Sequence, residues 1–370
     1  MVKHAFKELW TGQRLCGVVE QPKTNDIGVI VMIGKTRWLF ASVFVGVFLN
    51  SATARAAAPT PMLVAYGGHN ETMIPIWVGA ERGLFRKYGI DLRALQTRSG
   101  PIMMATLASG GTPLVWAAPS SALSTTVGGL KLGCFAVGNN RVPREVIARK
   151  GIESLEDLRG KTFGVQSIGG GFWLSTMVVL DALGIDPDKY KLNMRVIGDT
   201  ATVTQALITG NVDAMVVPYS YSDMAKRAGA RALADAGKLN IVYQATIMCA
   251  QKESGAIGND AMIALTKGIV ESLVYILDPA NKRDVSEVLK KNLRLSKDED
   301  VEASYRVSRL QMPNLDIALN IEAWRTVKRI VSKVNPKVQE VDLDQVIVNG
   351  PVQSLEASGF LAEMRKKLPR

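Results

Sequence analysis

Beyond its first 58 residues the chain holds one histidine, His69. A serine or cysteine nucleophile working near neutral pH would need that ring as its base, and no nucleophile is visibly paired with it. Acids such as Asp199, Asp213 and Asp223 fall in helix-start or turn contexts, and Asp199-Thr200 reads as the cap of a helix opening near Ala201. With no second histidine and no paired cysteine cluster, zinc-ligand spacing is missing. No catalytic residue, metal or cofactor is expected. His69 lies instead in a polar run, Gly67-Gly68-His69-Asn70-Glu71-Thr72. An apolar strand-type stretch, residues 62–66, precedes this run, and a helical pattern with Pro75 in its first turn follows. Such a loop joins the carboxyl end of a strand to the amino end of a helix, where unpaired backbone N–H groups can meet an anion or a polar ligand. Binding is therefore the chemistry on offer, although a solvent-exposed turn explains His69 equally well.

The positioning elements repeat along the chain. Trp77, Ala80, Leu84 and Tyr88 fall on one face of a 3.6-residue period. Gly89 stands where a left-handed cap belongs, and residues 90–96 begin the next strand. A second unit opens with Ser154 and Asp157 as a capping box for a helix over 155–159. Residues 162–166 are a strand, Ser167-Ile168-Gly169-Gly170-Gly171 a loop, and residues 172–183 a helix ended by Gly184. Three glycines before a helix allow close backbone approach to a ligand, and they equally make a tight turn. No Gly-Lys-Ser/Thr follows, and the Gly-x-Gly-x-x-Gly spacing is missing, so nucleotide and dinucleotide readings are weak. Residues 105–110 and 205–210 echo each other as Gly-capped helix ends. Residues 114–121 and 214–221 echo as buried strands running into Pro and Ser, and residues 88–91 are matched by 183–186. Three echoes in one order imply two α/β halves of similar plan. After residue 260 the pattern is helical over 261–277, 282–292, 297–310, 321–332 and 352–368, an outer layer expected mostly on the first half. Tyr305 and Trp324 are expected in its core.

The stretch Ile76-Trp77-Val78-Gly79-Ala80-Glu81-Arg82-Gly83-Leu84-Phe85-Arg86-Lys87-Tyr88-Gly89-Ile90-Asp91-Leu92 resembles the first helix of substrate-binding proteins of nitrate/sulfonate/taurine-type (NitT/TauT) ABC transporters. That group includes relatives of thiamine-pyrimidine-binding proteins, the NMT1-like superfamily. The resemblance runs from about residue 62 to about 242. It implies an α/β, type II periplasmic-binding-protein (Venus-flytrap) fold: two α/β domains, a two-segment hinge and a helical C-terminal region. The ligand would lie in the cleft outside the strands' carboxyl ends. The ligand-binding residues so implied are Gly68, His69, Asn70 and Thr72, then Ser99, then Pro119, Ser120 and Ser121. From the second half come Ser167, Gly169, Gly170, Gly171 and Phe172, with Tyr219 and Tyr221. Truncating Tyr219 or Ser120 should then weaken binding. Many relatives carry an acidic or Trp-Glu-Pro-like element where this chain has Val217-Pro218-Tyr219-Ser220-Tyr221. The departure puts the usual sulfonate, nitrate or pyrimidine assignments in doubt, and the tyrosines would suit an aromatic or carboxylate ligand. The implied partners are a small polar or anionic organic molecule and an ABC permease with its ATPase, the protein acting as a monomer. The alternatives are a pyrimidine-synthase-like enzyme, whose cysteine-rich motif is missing here, or a ligand-sensing protein of the same fold.

The start of the chain reads as export. Residues 1–31 look like upstream sequence outside the mature protein, and residues 32–58 like a signal peptide. Lys35 and Arg37 precede an apolar run over 38–49, and Ala-x-Ala cleavage sites follow. A run of 12 residues is short of the roughly 20 a membrane span needs. Cleavage near Ala57 or Pro59 would leave a periplasmic protein. Removing 58 of the 370 residues takes away seven basic and three acidic side chains, so the net charge falls from +11 to +7. The remaining charge is scattered without interleaved aromatics, which argues against nucleic acid. The domains expected are 60–140 with 240–370, and 141–239. Cys134 and Cys249 each sit in an apolar strand-like stretch, and two buried free thiols are the expected state. If those stretches are the two crossings between domains, the cysteines would be neighbours.

Overall fold

The structure, a computed structural model, describes residues 58–252, 255 and 257–369. The upstream segment and nearly all of the export signal lie outside the described residues. Ten strands form two five-stranded sheets. They are β1 (Thr60–Tyr66), β2 (Ile90–Gln96), β3 (Leu114–Ala117), β4 (Leu132–Asn139), β5 (Arg144–Ala148), β6 (Thr162–Val165), β7 (Asn193–Val196), β8 (Ala214–Pro218), β9 (Arg231–Asp235) and β10 (Thr246–Gln251). The first sheet has the order β2-β1-β3-β10-β4 and the second β7-β6-β8-β5-β9. The orders are equivalent position by position. In each, the fourth strand runs antiparallel to its neighbours and comes from the far side of a chain crossing. The chain passes from β4 to β5 through residues 140–143, and returns through residues 240–245 to β10.

The helices between strands match as well: α1 (Ile74–Glu81), α2 (Gly100–Ala108) and α3 (Pro119–Val127) in the first half, α4 (Gly171–Ala182), α5 (Thr200–Ile208) and α6 (Tyr219–Arg227) in the second. The echoes in sequence are structural. Gly89 and Gly184 both take left-handed backbone, φ 76° and 72°, as do Gly110 and Gly210, φ 75° and 78°. Asp199 caps α5 by accepting from Thr202 N–H at 2.8 Å. The first-helix pattern is broken where one face through Tyr88 was expected. α1 ends at Glu81, Gly83 turns with φ 63°, and residues 86–88 form a separate 3-10 turn that Gly89 closes. Asp157 accepts from Ser154 as the capping box predicts, but only a 3-10 turn, Glu156–Leu158, follows it.

The C-terminal helices are α7 (Asn259–Leu277), α8 (Lys282–Leu293), α9 (Asp298–Leu310), α10 (Ile321–Ser332), α11 (Leu343–Val346), α12 (Gly350–Ala357) and α13 (Phe360–Lys366). Gly359, at φ 75°, divides the single final helix the sequence suggests. They do not lie on one half alone. α7 and α8 pack on α1, whereas α9 packs on α6 and α10 touches both α3 and α4. Arg329 of α10 makes a two-pronged ion pair with Asp181 of α4, at 2.8 and 2.7 Å. Trp324 and Tyr305 are buried. The expectation of free thiols is corrected. β4 and β10 pair with Cys134 opposite Cys249, which brings their Cα atoms to 4.0 Å, and the sulfurs are bonded. Strand register alone creates that proximity, across 115 residues of sequence.

Candidate functional site

A cavity of about 50 Å³ lies where the parallel strands of both sheets end. That is several times the roughly 10–15 Å³ one water requires. Its first wall grows from β1. Gly67 ends the strand so close to the next loop that a Cβ would stand 2.6 Å from the Ser99 carbonyl carbon, so only glycine fits. Asn70 then folds the loop by accepting from Thr72 N–H at 3.0 Å and Thr72 Oγ1 at 2.7 Å. Trp116 on β3 forms the floor, its Nε1 donating to Thr72 O at 3.1 Å. Met73, Met103 and Phe172 add apolar surface. Arg144 at the start of β5, Tyr243 and Ala245 of the second crossing, and Thr246 at the start of β10 add to the lining.

Three helices begin at this cavity: α2 at Gly100, α3 at Ala118 and Ser121, and α4 at Gly171 and Phe172. None has a side-chain cap, so the positive ends of three helix dipoles face the same small volume. Ser121 Oγ lines the cavity and has no partner. Arg144 is only 5% exposed, its Nη1 has no hydrogen-bond acceptor, and no acid forms an ion pair with it among the described residues. Loss of water lowers its pKa, which the nearby Tyr243 and Glu71 partly offset. A guanidinium still stays protonated in such a place. Burial pushes the Tyr243 phenol up to about 12, so it is a neutral donor at physiological pH. The halves meet above the cavity, where Gln166 Nε2 donates to the carbonyls of Gly67 and Arg98, each at 3.2 Å.

Of the residues drawn from the sequence, Gly68, Asn70, Thr72, Ser121, Gly171 and Phe172 line the cavity. The others do not. His69 turns aside, its Nδ1 2.9 Å from Gln96 Nε2. Partial burial lowers its pKa. Ser99 precedes the lining Gly100, and Pro119 and Ser120 form the first turn of α3, with Ser120 Oγ buried and unpartnered. Ser167, Gly169 and Gly170 shape the turn before α4, where Gly169 takes φ 78°. Tyr219 faces a separate groove with Arg141 and Gly237, and its hydroxyl donates to Asp235. Tyr221 is buried near Glu71 without lining the cavity. Sequence reasoning missed Arg144, Gln166 and Tyr243. A usable signal was Arg144 itself, a cation placed just before the apolar stretch Val146-Ile147-Ala148 straight after a crossing.

Two similar sheets, two crossings and a cavity at the strand ends define the class: this is the periplasmic-binding-protein fold. Solved structures of that fold superpose on most of the chain. The nitrate-binding protein NrtA of Synechocystis PCC 6803 does so with a TM-score of 0.65 at 13% identity, over 83% of this chain and 91% of its own. The alkanesulfonate-binding protein SsuA of Xanthomonas axonopodis pv. citri, bound to MOPS, gives 0.62 at 14%, over 80% and 100%. Within that class the chain belongs to the NMT1/THI5 like family, whose profile matches residues 70–280. Among curated relatives, the Bacillus subtilis protein YtlA, named as a binding protein, is 22% identical over 323 residues, 84% of this chain and 96% of its own. A Brucella abortus protein, also named as a binding protein, is 27% identical over 142 residues, 38% of this chain and 43% of its own.

Proposed function

We propose that the protein is an exported, monomeric solute-binding protein. In this reading it closes two domains, 60–140 with 240–370 and 141–239, around a small organic anion and hands it to an ABC permease and its ATPase. The buried Arg144 guanidinium carries the anionic part of the reading. A charge withdrawn from water without a partner costs several kcal/mol, so the site is complete only when an anion supplies the countercharge. Three uncapped helix starts and the free Ser121 hydroxyl add donors around the same point. The cavity favours a compact carboxylate or sulfonate head group over a large aromatic ring. Turnover is not part of this reading, since His69 stands outside the cavity and the Ser121 hydroxyl that faces it has no hydrogen-bonded base. The relatives' names as binding proteins, and the export pattern of residues 32–58, support the same role.

Residues 140–143 and 240–245 would act as the hinge, and Gln166 would latch the closed state. A ligand touching both halves favours closure in proportion to its differential affinity for that state. Thermal shift followed by calorimetry tests the reading, with formate, acetate, propionate, methanesulfonate, ethanesulfonate and propanesulfonate as probes. At least one monovalent anion should raise the melting temperature and be recovered unchanged. Equal, small shifts for all six salts, matching a sodium chloride control, would overturn it.

A further inference from the structure

Beside Arg144 lies a second buried charge-bearing group, Glu71, which is fully buried. Its Oε1 accepts from Ser220 Oγ at the start of α6, on the opposite half, and its Oε2 has no partner. No cation forms an ion pair with it among the described residues. The titratable and charged groups around it are Arg144 on β5, Tyr221 on α6, and, beyond these, Asp199 at the start of α5 and Asp300 on α9, which Arg227 neutralises. Tyr243 faces Arg144 from the second crossing. Two opposite groups thus share one dry region without touching, and each leaves a polar atom unpaired.

We propose that Glu71 holds a proton in the folded protein, so that the cleft keeps the single positive charge of Arg144 and selects a monoanion. The geometry favours this over an ionised carboxylate. Hydrogen bonds that leave Oε2 without a partner do not compensate a fully buried negative charge, whereas a protonated carboxyl carries no charge to compensate. Burial raises its pKa, against smaller lowering by Ser220, its own backbone, Ser304 and Arg144. An ionised Glu71 would also neutralise Arg144 and remove the reason for an anion to bind. The inference rests on the anion reading above, but its titration is measurable without any ligand.

Glu71→Gln keeps the shape and the acceptor for Ser220 and removes the titration. Wild type keeps a proton that its unfolded chain loses above the ordinary carboxyl range. Its stability therefore falls as pH rises from that range to the raised native value, and the variant does not share this loss. The expected result is a melting-temperature gap in favour of E71Q that widens with pH. It corresponds to about tenfold in the folding equilibrium per pH unit within the window, then levels off. Infrared spectra at neutral pH should show a protonated-carboxyl band in wild type that E71Q lacks. Ser220→Ala, a milder change, should move the window to higher pH, because it removes a bond that favours the ionised form. A pH-independent gap, or no such band, would overturn the proposal. If the six anions fail to bind while the gap still widens with pH, Glu71 is upheld and the anion reading alone is lost.

Discussion

Arg144→Met should make the protein more stable and unable to bind. The two halves of that expectation come from one observation. The guanidinium is 5% exposed, leaves Nη1 unpaired and has no carboxylate partner. An unsatisfied buried donor costs about 1–3 kcal/mol, and more when it carries charge. Methionine fills similar space and needs no acceptor. The ligand-free variant should therefore gain about 1–3 kcal/mol, a rise of several degrees in melting temperature. With an anion bound, the same group makes a charge-assisted bond in a desolvated site, and truncating one partner of such a pair costs about 2–5 kcal/mol of affinity. That is a loss of roughly 30-fold to several thousand-fold. The assay is differential scanning fluorimetry of both proteins, with and without the anion that shifts wild type most, followed by calorimetry. Opposite signs are the signature: a higher melting temperature without ligand and no shift with it. A variant that melts lower and still responds to the anion would show that Arg144 is an ordinary structural cation, and the reasoning would fail.

Removing the Cys134–Cys249 bond as a double serine variant should cost about 3–5 kcal/mol, given a loop of 115 residues, and denaturant unfolding with and without reductant measures it. Gln166→Ala removes two bonds between the halves, so affinity should fall about fivefold, from roughly 1 kcal/mol, with little change in ligand-free stability. Asp213 is partly buried, which raises its pKa, but Thr162 N–H and Arg149 outweigh this and hold it below the usual value. Its contribution is therefore complete above the ordinary carboxylate range and is lost as pH falls through the depressed native value. Asp213→Asn should cost about 1 kcal/mol at neutral pH, and the difference from wild type should vanish in acid melts.

Local sequence determined a good deal. Apolar stretches and glycine caps specify β1, β2, β3, β6 and β8, because strand and helix signals act within a dozen residues. The echoes revealed two halves of one plan, since Gly110 and Gly210 face the same local need for positive φ. The polar loop after β1 and Gly171 at the start of α4, which line the cavity, were legible for the same reason: strand ends and helix starts are marked by residue type. The chain's partners across space were not legible. Cys134 meets Cys249 only through the pairing of β4 with β10, and no pattern within either stretch encodes its register against the other. Tyr219 looked like a ligand contact by its place after β8, but the side chain follows Asp235 into another groove. Arg144 opens β5 straight after one crossing and Tyr243 sits on the other, where no periodic signal marks either side chain. Their chemistry arises because folding strips water from a cation without an ion-pair partner among the described residues, a fact about burial that composition and spacing do not contain.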